Sequence, residues 1–314
     1  MKTKQAILNI LLDSKTYVSG ESIAKKLNIS RVAVNKGVNS LRQDGYQIYS
    51  VTNKGYLLTV SNEFDVNYIK LKSGYTGNVI YHSQTVSTNN DCKALADKGE
   101  HALIIAKTQT GGKGRFDRKF YSEVGGVYFS VALTPNLPIS SGVNITTYTA
   151  VVVARAIEKF APVKVDIKWV NDLFISDKKV CGILTEASCD FEQNKLKYAV
   201  VGIGVNTDTT LFNAEIESIA TSVFNECGVK INKAELISEI VKNLLNAENE
   251  IIKGDYLLEY KKRLFILGKL VTVYSGTETY DAVAVDVTNT GALVVDKNGE
   301  IKTVSSGEVS VKLK

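Results

Sequence analysis

Histidine and cysteine are scarce in this 314-residue chain, which holds two of the first and four of the second. Cys92, Cys181, Cys189 and Cys227 lack the paired spacing of a zinc site, and two histidines cannot make up the difference. So few cysteines in so long a chain also argue against a disulfide framework. No apolar run approaches the roughly 20 residues that cross a bilayer. The opening MKTKQAILNILLDSKT carries two lysines and a short apolar stretch, but Asn9 and Asp13 interrupt it and no small-residue cleavage site follows. A Walker motif is absent too, since no Gly-Lys-Ser/Thr closes a GxxxxG run. What remains is a chain expected in the cytoplasm, with no membrane partner.

Hydrophobic residues make up 44% and charged residues 23%, the mix of a globular protein. The length implies two or three domains. Net charge is +5, but it is not shared evenly. Residues 1–60 hold nine Lys/Arg against three acids, so this fifth of the chain carries +6 and the rest −1. The basic character belongs to one module.

In that module, residues 4–12 put Ile7, Leu8, Leu11 and Leu12 on one helical face. A second helix follows Ser19, a plausible N-cap, and ends at Asn28–Ile29. Ser30 can cap a third helix, in which Val34, Val38 and Leu41 recur with helical period up to Gly45. The short connection between the second and third is helix-turn-helix spacing. Two strand-like runs joined at Asn53-Lys54-Gly55 then make a hairpin. Three helices and a wing imply nucleic-acid binding through Gly20 to Asn39, notably Ser30, Arg31, Asn35 and Lys36, with Asn53 and Lys54 in the wing. A basic helical cap or a protein-binding domain would carry the same charge.

From about residue 75 to 265 strand-like segments alternate irregularly with helices at Asn89–Lys98, Val143–Lys159 and Lys233–Asn246. The runs 164–170, 173–176, 179–187 and 198–205 are joined by loops too short for parallel crossovers. This predicts an α+β domain with a mixed or antiparallel sheet. Residues 268–314 break into short strands that suggest a small barrel.

Within the central region, TQTGGKGRFDRKFYS at 108–122 joins three glycines to four cations. Such a loop lets backbone approach an anion closely, although a flexible surface turn has the same composition. Ser87-Thr88-Asn89 could cap a helix or donate to a polar ligand. Lys168, Asn171 and Asp172, with Lys179 opening the next strand, suit a phosphate and a hard cation. Trp169 reads as core. The glycines of GIGVN at 202–206 admit a flat ligand or another backbone.

Taken together, STN at 87–89, Gln109 with GGKGRFDRK, KWVND at 168–172, KVCGILTE at 179–186 and GIGVN closely resemble the bacterial biotin protein ligases that double as biotin operator repressors. The resemblance spans nearly the whole chain. It implies a winged helix-turn-helix over 1–62, a central α/β catalytic domain with a mixed sheet over 63–267, and an SH3-like β-barrel over 268–314. The implied activity has two steps. Biotin and ATP give biotinyl-5′-AMP, and biotin then passes to a lysine of a biotin carboxyl carrier protein of acetyl-CoA carboxylase. The intermediate would also act as corepressor, driving a homodimer onto operator DNA.

The resemblance also implies roles for residues. Ser87, Thr88, Asn89 and Gln109 would surround biotin. Lys113, Gly114 and Arg115 would close a loop over biotin and the intermediate, with Arg118 on phosphate and Phe120 near adenine. Lys179, Arg115, Lys168 and Asp172 would form the catalytic set, Asn171 assisting the phosphates and Asp172 meeting Mg²⁺. Asn206 would line the nucleotide side. Three positions depart from the family pattern: Lys113 stands for Arg and loses the planar fork, Val170 stands for Pro with strand shape kept, and Phe120 stands for Trp. Loops 108–122 and 208–216 are candidates for coupling ligand to dimerisation. A regulator that only senses a small acidic cofactor, or a lipoate-attaching ligase, are the competing readings.

Overall fold

The computed structural model describes residues 2–14, 16–43, 46–59, 63–275, 278–305 and 309–313. The basic module forms α1 (Lys2–Leu12), α2 (Gly20–Leu27), α3 (Arg31–Gln43), β1 (Gln47–Val51) and β2 (Gly55–Thr59). Its own small core gathers Ile7, Leu8, Leu11, Ile23, Val34, Val38 and Leu41 with Ile48 and Leu58 of the hairpin. Ser19 accepts the Ser22 amide at 3.0 Å and Ser30 the Ala33 amide at 3.1 Å, so both expected caps form. Asn28 turns left-handed at φ 51° and ends α2. Gly45, expected to stop the third helix, lies outside the described residues. In the wing, Gly55 has φ +108° and a Cβ there would stand 2.1 Å from the Val18 carbonyl oxygen. Only glycine meets both demands. Val18 and Tyr56 exchange backbone hydrogen bonds of 2.8 Å, which stitch the wing to the α1–α2 loop.

The central region begins with α4 (Val66–Ser73), capped by the Asp65 carboxylate on the Tyr68 amide. β3 (Asn78–His82), α5 (Thr88–Ala96), β4 (Ala102–Ala106), β5 (Val127–Leu133) and α6 (Gly142–Phe160) follow. Next come β6 (Asp166–Lys168), β7 (Asp172–Ile175), β8 (Lys178–Asp190) and β9 (Lys195–Val205), then α7 (Val223–Cys227), α8 (Lys233–Leu244), α9 (Ala247–Lys253) and α10 (Tyr256–Arg263). The sheet runs β3-β4-β5-β9-β8-β7-β6, with β3 and β4 parallel and every other pair antiparallel. The mixed sheet expected from the short loops is thus present. α5 covers one face through Cys92 and Ala96, and α6, almost wholly buried, shares the main core on the other with α8 and α10.

Two local expectations change. The strand expected up to residue 170 is only Asp166–Lys168, and residues 169–171 form the turn into β7. Position 170 therefore does not keep strand shape. Trp169 is core as expected, 4% exposed, yet its indole also borders the cleft described below.

β10 (Leu270–Ser275), β11 (Glu278–Val287), β12 (Leu293–Lys297), β13 (Glu300–Val304) and β14 (Val309–Leu313) make an antiparallel sheet of order β13-β12-β11-β10-β14. Among the described residues no pairing joins β13 to β14, so the expected barrel is seen as an open five-stranded sheet. It shares the main core through Val271, Val273, Ala284 and Leu293. The Trp169 indole donates to the Gly291 carbonyl at 3.0 Å, and Asn144 donates to that of Asn289 at 2.9 Å. After the winged module, Glu63 reaches the buried Lys233 ammonium at 2.9 Å, and Asp208, just beyond β9, lies 3.7 Å from the same group. Among the described residues no helix is long and apolar enough to cross a membrane.

Candidate active site

A cleft opens where the N-terminus of α5, the 108–122 loop, the β6–β7 turn and the strands β8 and β9 converge. Its floor is backbone. A Cβ on Gly182 or Gly204 would meet the Phe120 ring at 2.8 and 2.4 Å, and one on Gly202 would meet Asn89 Oδ1 at 2.0 Å. The glycines of β8 and β9 therefore admit side chains from the walls, and in this structure the Phe120 ring lies across the floor.

One end of the cleft is lined by the uncharged side chains of Ser87, Thr88, Asn89 and Gln109, each of them hydrogen-bonded. Ser87 caps α5, accepting the Asn90 amide at 3.5 Å. Gln109 Oε1 accepts the Thr88 amide at 2.8 Å, and its Nε2 donates to Ser122 Oγ at 2.8 Å. Asn89 Nδ2 donates to Glu186 Oε2 at 2.9 Å. Ser130, fully buried in the apolar strand β5, stands 2.6 Å from Asn89 Oδ1 and 2.8 Å from Thr88 Oγ1.

The other end is cationic. Lys179 Nζ pairs with Asp172 Oδ1 at 2.6 Å, and Lys168 stands opposite Asp172 in the β6–β7 register. Lys113, Arg115, Arg118 and Lys119 line the same end. Burial pulls the Arg115 guanidinium below its usual range; Asp172 opposes the shift and Arg118 adds to it. Cys181 beneath this end is fully buried, and burial pushes its thiol far up, so it stays protonated.

The loop is a hairpin and not a loose turn. Gly111 donates to Val86 O at 2.8 Å, Phe120 to Gly112 O at 2.9 Å and Gly114 to Arg118 O at 2.7 Å. At its tip Phe116 has φ 56°, with the Arg115 guanidinium 5.0 Å from its ring centre. Tyr121 hydrogen-bonds Glu215, joining the two loops singled out in the sequence.

Of the expected ligand-site residues, all but Asn206 line this cleft. Asn206 instead donates to the Thr221 carbonyl at 3.0 Å, and Lys179 exchanges backbone bonds with Ile219 and Thr221, so this segment braces the start of β8. Asn171 turns its amide onto the Ile183 carbonyl at 2.6 Å. Ser130, Ser122 and Glu186 were not anticipated. Ser130 had one visible signal, a lone hydroxyl inside the apolar run VYFSVAL.

On the winged module, Arg31, Asn35, Lys36 and Asn39 are exposed along α3, as are Asn53 and Lys54 in the turn. Asn35 donates to Tyr56 Oη at 3.2 Å and Asn39 to Asn35 at 3.0 Å, which ties the helix face to the wing.

A winged helix thus precedes a mixed α/β sheet that carries the cleft. The pattern of the biotin/lipoate A/B protein ligase family matches residues 76–206, that of an HTH domain residues 3–57 and that of the biotin protein ligase C-terminal domain residues 266–312. The chain belongs to the bifunctional biotin ligase/repressor family. It is 32% identical to the bifunctional ligase/repressor BirA of Bacillus subtilis over 94% of each chain, and 24% identical to that of Escherichia coli over 96% of this chain and 95% of the other. The biotin protein ligase from Aquifex aeolicus in complex with biotin and ATP shares the fold with a TM-score of 0.65. That match is 24% identical and covers 76% of this chain and 99% of that one.

Proposed function

We propose that this chain is a biotin–[acetyl-CoA-carboxylase] ligase and a biotin-responsive transcriptional repressor. The observation that carries the ligase reading is the two-ended cleft. A neutral hydrogen-bonding end suits a cyclic urea, and a cationic end suits a carboxylate meeting a triphosphate. In the first step the biotin carboxylate attacks the α-phosphorus of ATP and pyrophosphate leaves, giving biotinyl-5′-AMP. In the second the ε-amine of a carrier-protein lysine attacks the acyl carbon, a proton is lost and AMP leaves. Two anions must meet before the first bond forms, and Lys179, Arg115 and Lys168 supply the opposing charge. The same reading keeps Ser87, Thr88, Asn89 and Gln109 for biotin, Lys113 and Gly114 for the covering hairpin, Arg118 for phosphate and Phe120 for the adenine side. Asn171 and Asn206 act through the backbone they brace.

Among the described residues no group of three His, Cys, Asp or Glu could hold a metal ion. A single carboxylate, Asp172, suits an Mg²⁺ that arrives with the nucleotide. When bound, that ion would neutralise phosphate charge. Asp172 also orients Lys179 through the 2.6 Å ion pair.

In this reading the modules are 1–62, 63–267 and 268–314, the last folded as a small SH3-like β-barrel, in a cytoplasmic protein. One winged helix makes few contacts, so operator recognition uses a homodimer promoted by biotinyl-5′-AMP. Incubation with ATP, biotin, Mg²⁺ and an apo carrier protein must add one biotinyl mass to the carrier. No gain in mass would refute the ligase. Operator binding measured by anisotropy must rise with biotin plus ATP and vanish on deletion of residues 1–60, with most ligation kept.

A further inference from the structure

At the uncharged end of the cleft, buried hydroxyl and amide groups share a limited number of protons. Ser130 Oγ lies between two oxygens, Asn89 Oδ1 at 2.6 Å and Thr88 Oγ1 at 2.8 Å. A serine has one proton to give. Asn89 cannot be turned to offer its nitrogen, because Nδ2 already donates to Glu186 Oε2 at 2.9 Å and faces the Leu184 carbonyl at 3.4 Å. If the Ser130 proton pointed elsewhere, two bare oxygens would face each other at 2.6 Å in a fully buried position. The Ser130 proton therefore goes to Asn89.

That choice decides the next one. Thr88 Oγ1 has two inward acceptors, Ser130 Oγ at 2.8 Å and Gln109 Oε1 at 3.1 Å. Its proton is held chiefly by Ser130 Oγ, the nearer of the two, because Gln109 Oε1 already accepts the Thr88 amide at 2.8 Å. Gln109 is itself held the right way round by the Thr88 amide on Oε1 and Ser122 on Nε2. What Thr88 turns toward the cleft is a lone pair. Asn89, with both ends of its amide engaged, forms a wall across Gly202 and does not donate to ligand.

We infer that Ser130 is a specificity-determining positioning residue: it directs the Thr88 hydroxyl as a fixed acceptor, so the cleft selects ligands that bring an N–H donor. The inference rests on the biotin reading, in which that donor is a ureido N–H. A buried site built to accept a hydrogen bond rejects an analogue that offers another acceptor, because two lone pairs are then forced together.

The test compares biotin with its two cyclic carbamate analogues, each with one ureido N–H replaced by a ring oxygen. ATP-dependent pyrophosphate release by the full-length chain is the readout. Ser130→Ala should raise the KM for biotin about 5–10-fold, the size of one hydrogen bond. Its kcat and its KM for ATP should stay within about twofold, because the bonds lost lie at the end of the cleft away from the cations. The preference for biotin over one of the carbamates should fall at least about tenfold, since the freed Thr88 hydroxyl can now donate. Thr88→Val should lose the same preference, and the double variant should lose no more than Thr88→Val alone. Additive losses, or an unchanged preference against both carbamates, would overturn the role of Ser130. A parallel fall in kcat and both KM values would do the same. Should Ser130→Ala not fold, Ser130→Cys, which keeps a weaker donor, decides by its intermediate or unchanged preference. Absence of turnover by the unaltered chain would overturn the biotin reading itself, a result none of the variants can mimic.

Discussion

Lys179 shows most plainly how one residue is made useful by its neighbours. Its ammonium is only partly buried, yet Asp172 at 2.6 Å fixes where it points, and the backbone bonds to Ile219 and Thr221 fix the strand start that carries it. In the proposed reading, replacing it with alanine removes charge where the carboxylate and the α-phosphate would meet. We expect Lys179→Ala to slow adenylation about 10²–10³-fold, as loss of a preorganised electrostatic group does. Stopped-flow pyrophosphate release measures this, and a near-normal rate would refute the role. Arg115 stands beside it on the covering hairpin. Arg115→Gly should let biotinyl-5′-AMP escape into solution, detectable by filtration and mass spectrometry, and unchanged retention would remove that role. The lysines and arginines of this site were legible in the sequence because a Gly-rich basic loop coincides with lysines at two strand ends. Ser130 and Glu186 were not, because a hydrogen-bond partner forty or a hundred residues away leaves no local pattern.

Whole elements were legible to different degrees, for physical reasons. β4, β5 and β9 are apolar runs bounded by turn residues, and the antiparallel pairing of β6, β7, β8 and β9 followed from the short loops between them. α4, α7, α9 and α10 are short, from five to eight residues, and too brief for periodicity to declare itself. The β6–β7 turn was misread as strand because Trp169 and Val170 look like strand residues, while their burial serves the junction with the C-terminal sheet. In the winged module a single glycine carries an element-scale prediction. Gly55→Ala forces a side chain onto φ +108° and against Val18 O, so it should cost about 1–3 kcal/mol in the wing. Operator affinity should fall and ligation should not. Equal loss of both, in paired anisotropy and ligation assays, would show that the wing is not separable.

At the scale of the whole molecule, charge holds the helical layer together. Arg263 binds Glu158 at 2.7 Å and Glu259 at 2.8 Å, and Arg155 binds Glu259 at 2.5 Å. Burial alone would raise both carboxyls, but the arginine hydrogen bonds outweigh it and hold them below the usual carboxylate range. Acids depressed in the folded state stabilise it fully at neutral pH, and that stabilisation fades as pH falls through their folded values. The thermal midpoint should therefore drop as pH goes from roughly 5 toward 3. Arg263→Met should flatten that drop, and a slope as steep as in the unaltered chain would mean the acid sensitivity lies elsewhere.

The backbone floor of the cleft has a kinetic consequence for the native state. β9 lies in the middle of its sheet, bonded to β5 on one side and β8 on the other. The floor of the cleft can lose its amide protons only when the sheet itself comes apart, while the hairpin above it is held by only a few backbone bonds. In deuterated water, amides of residues 199–205 should be among the last to exchange and those of 113–119 among the first. Added ligand should slow the hairpin while leaving the floor as it was.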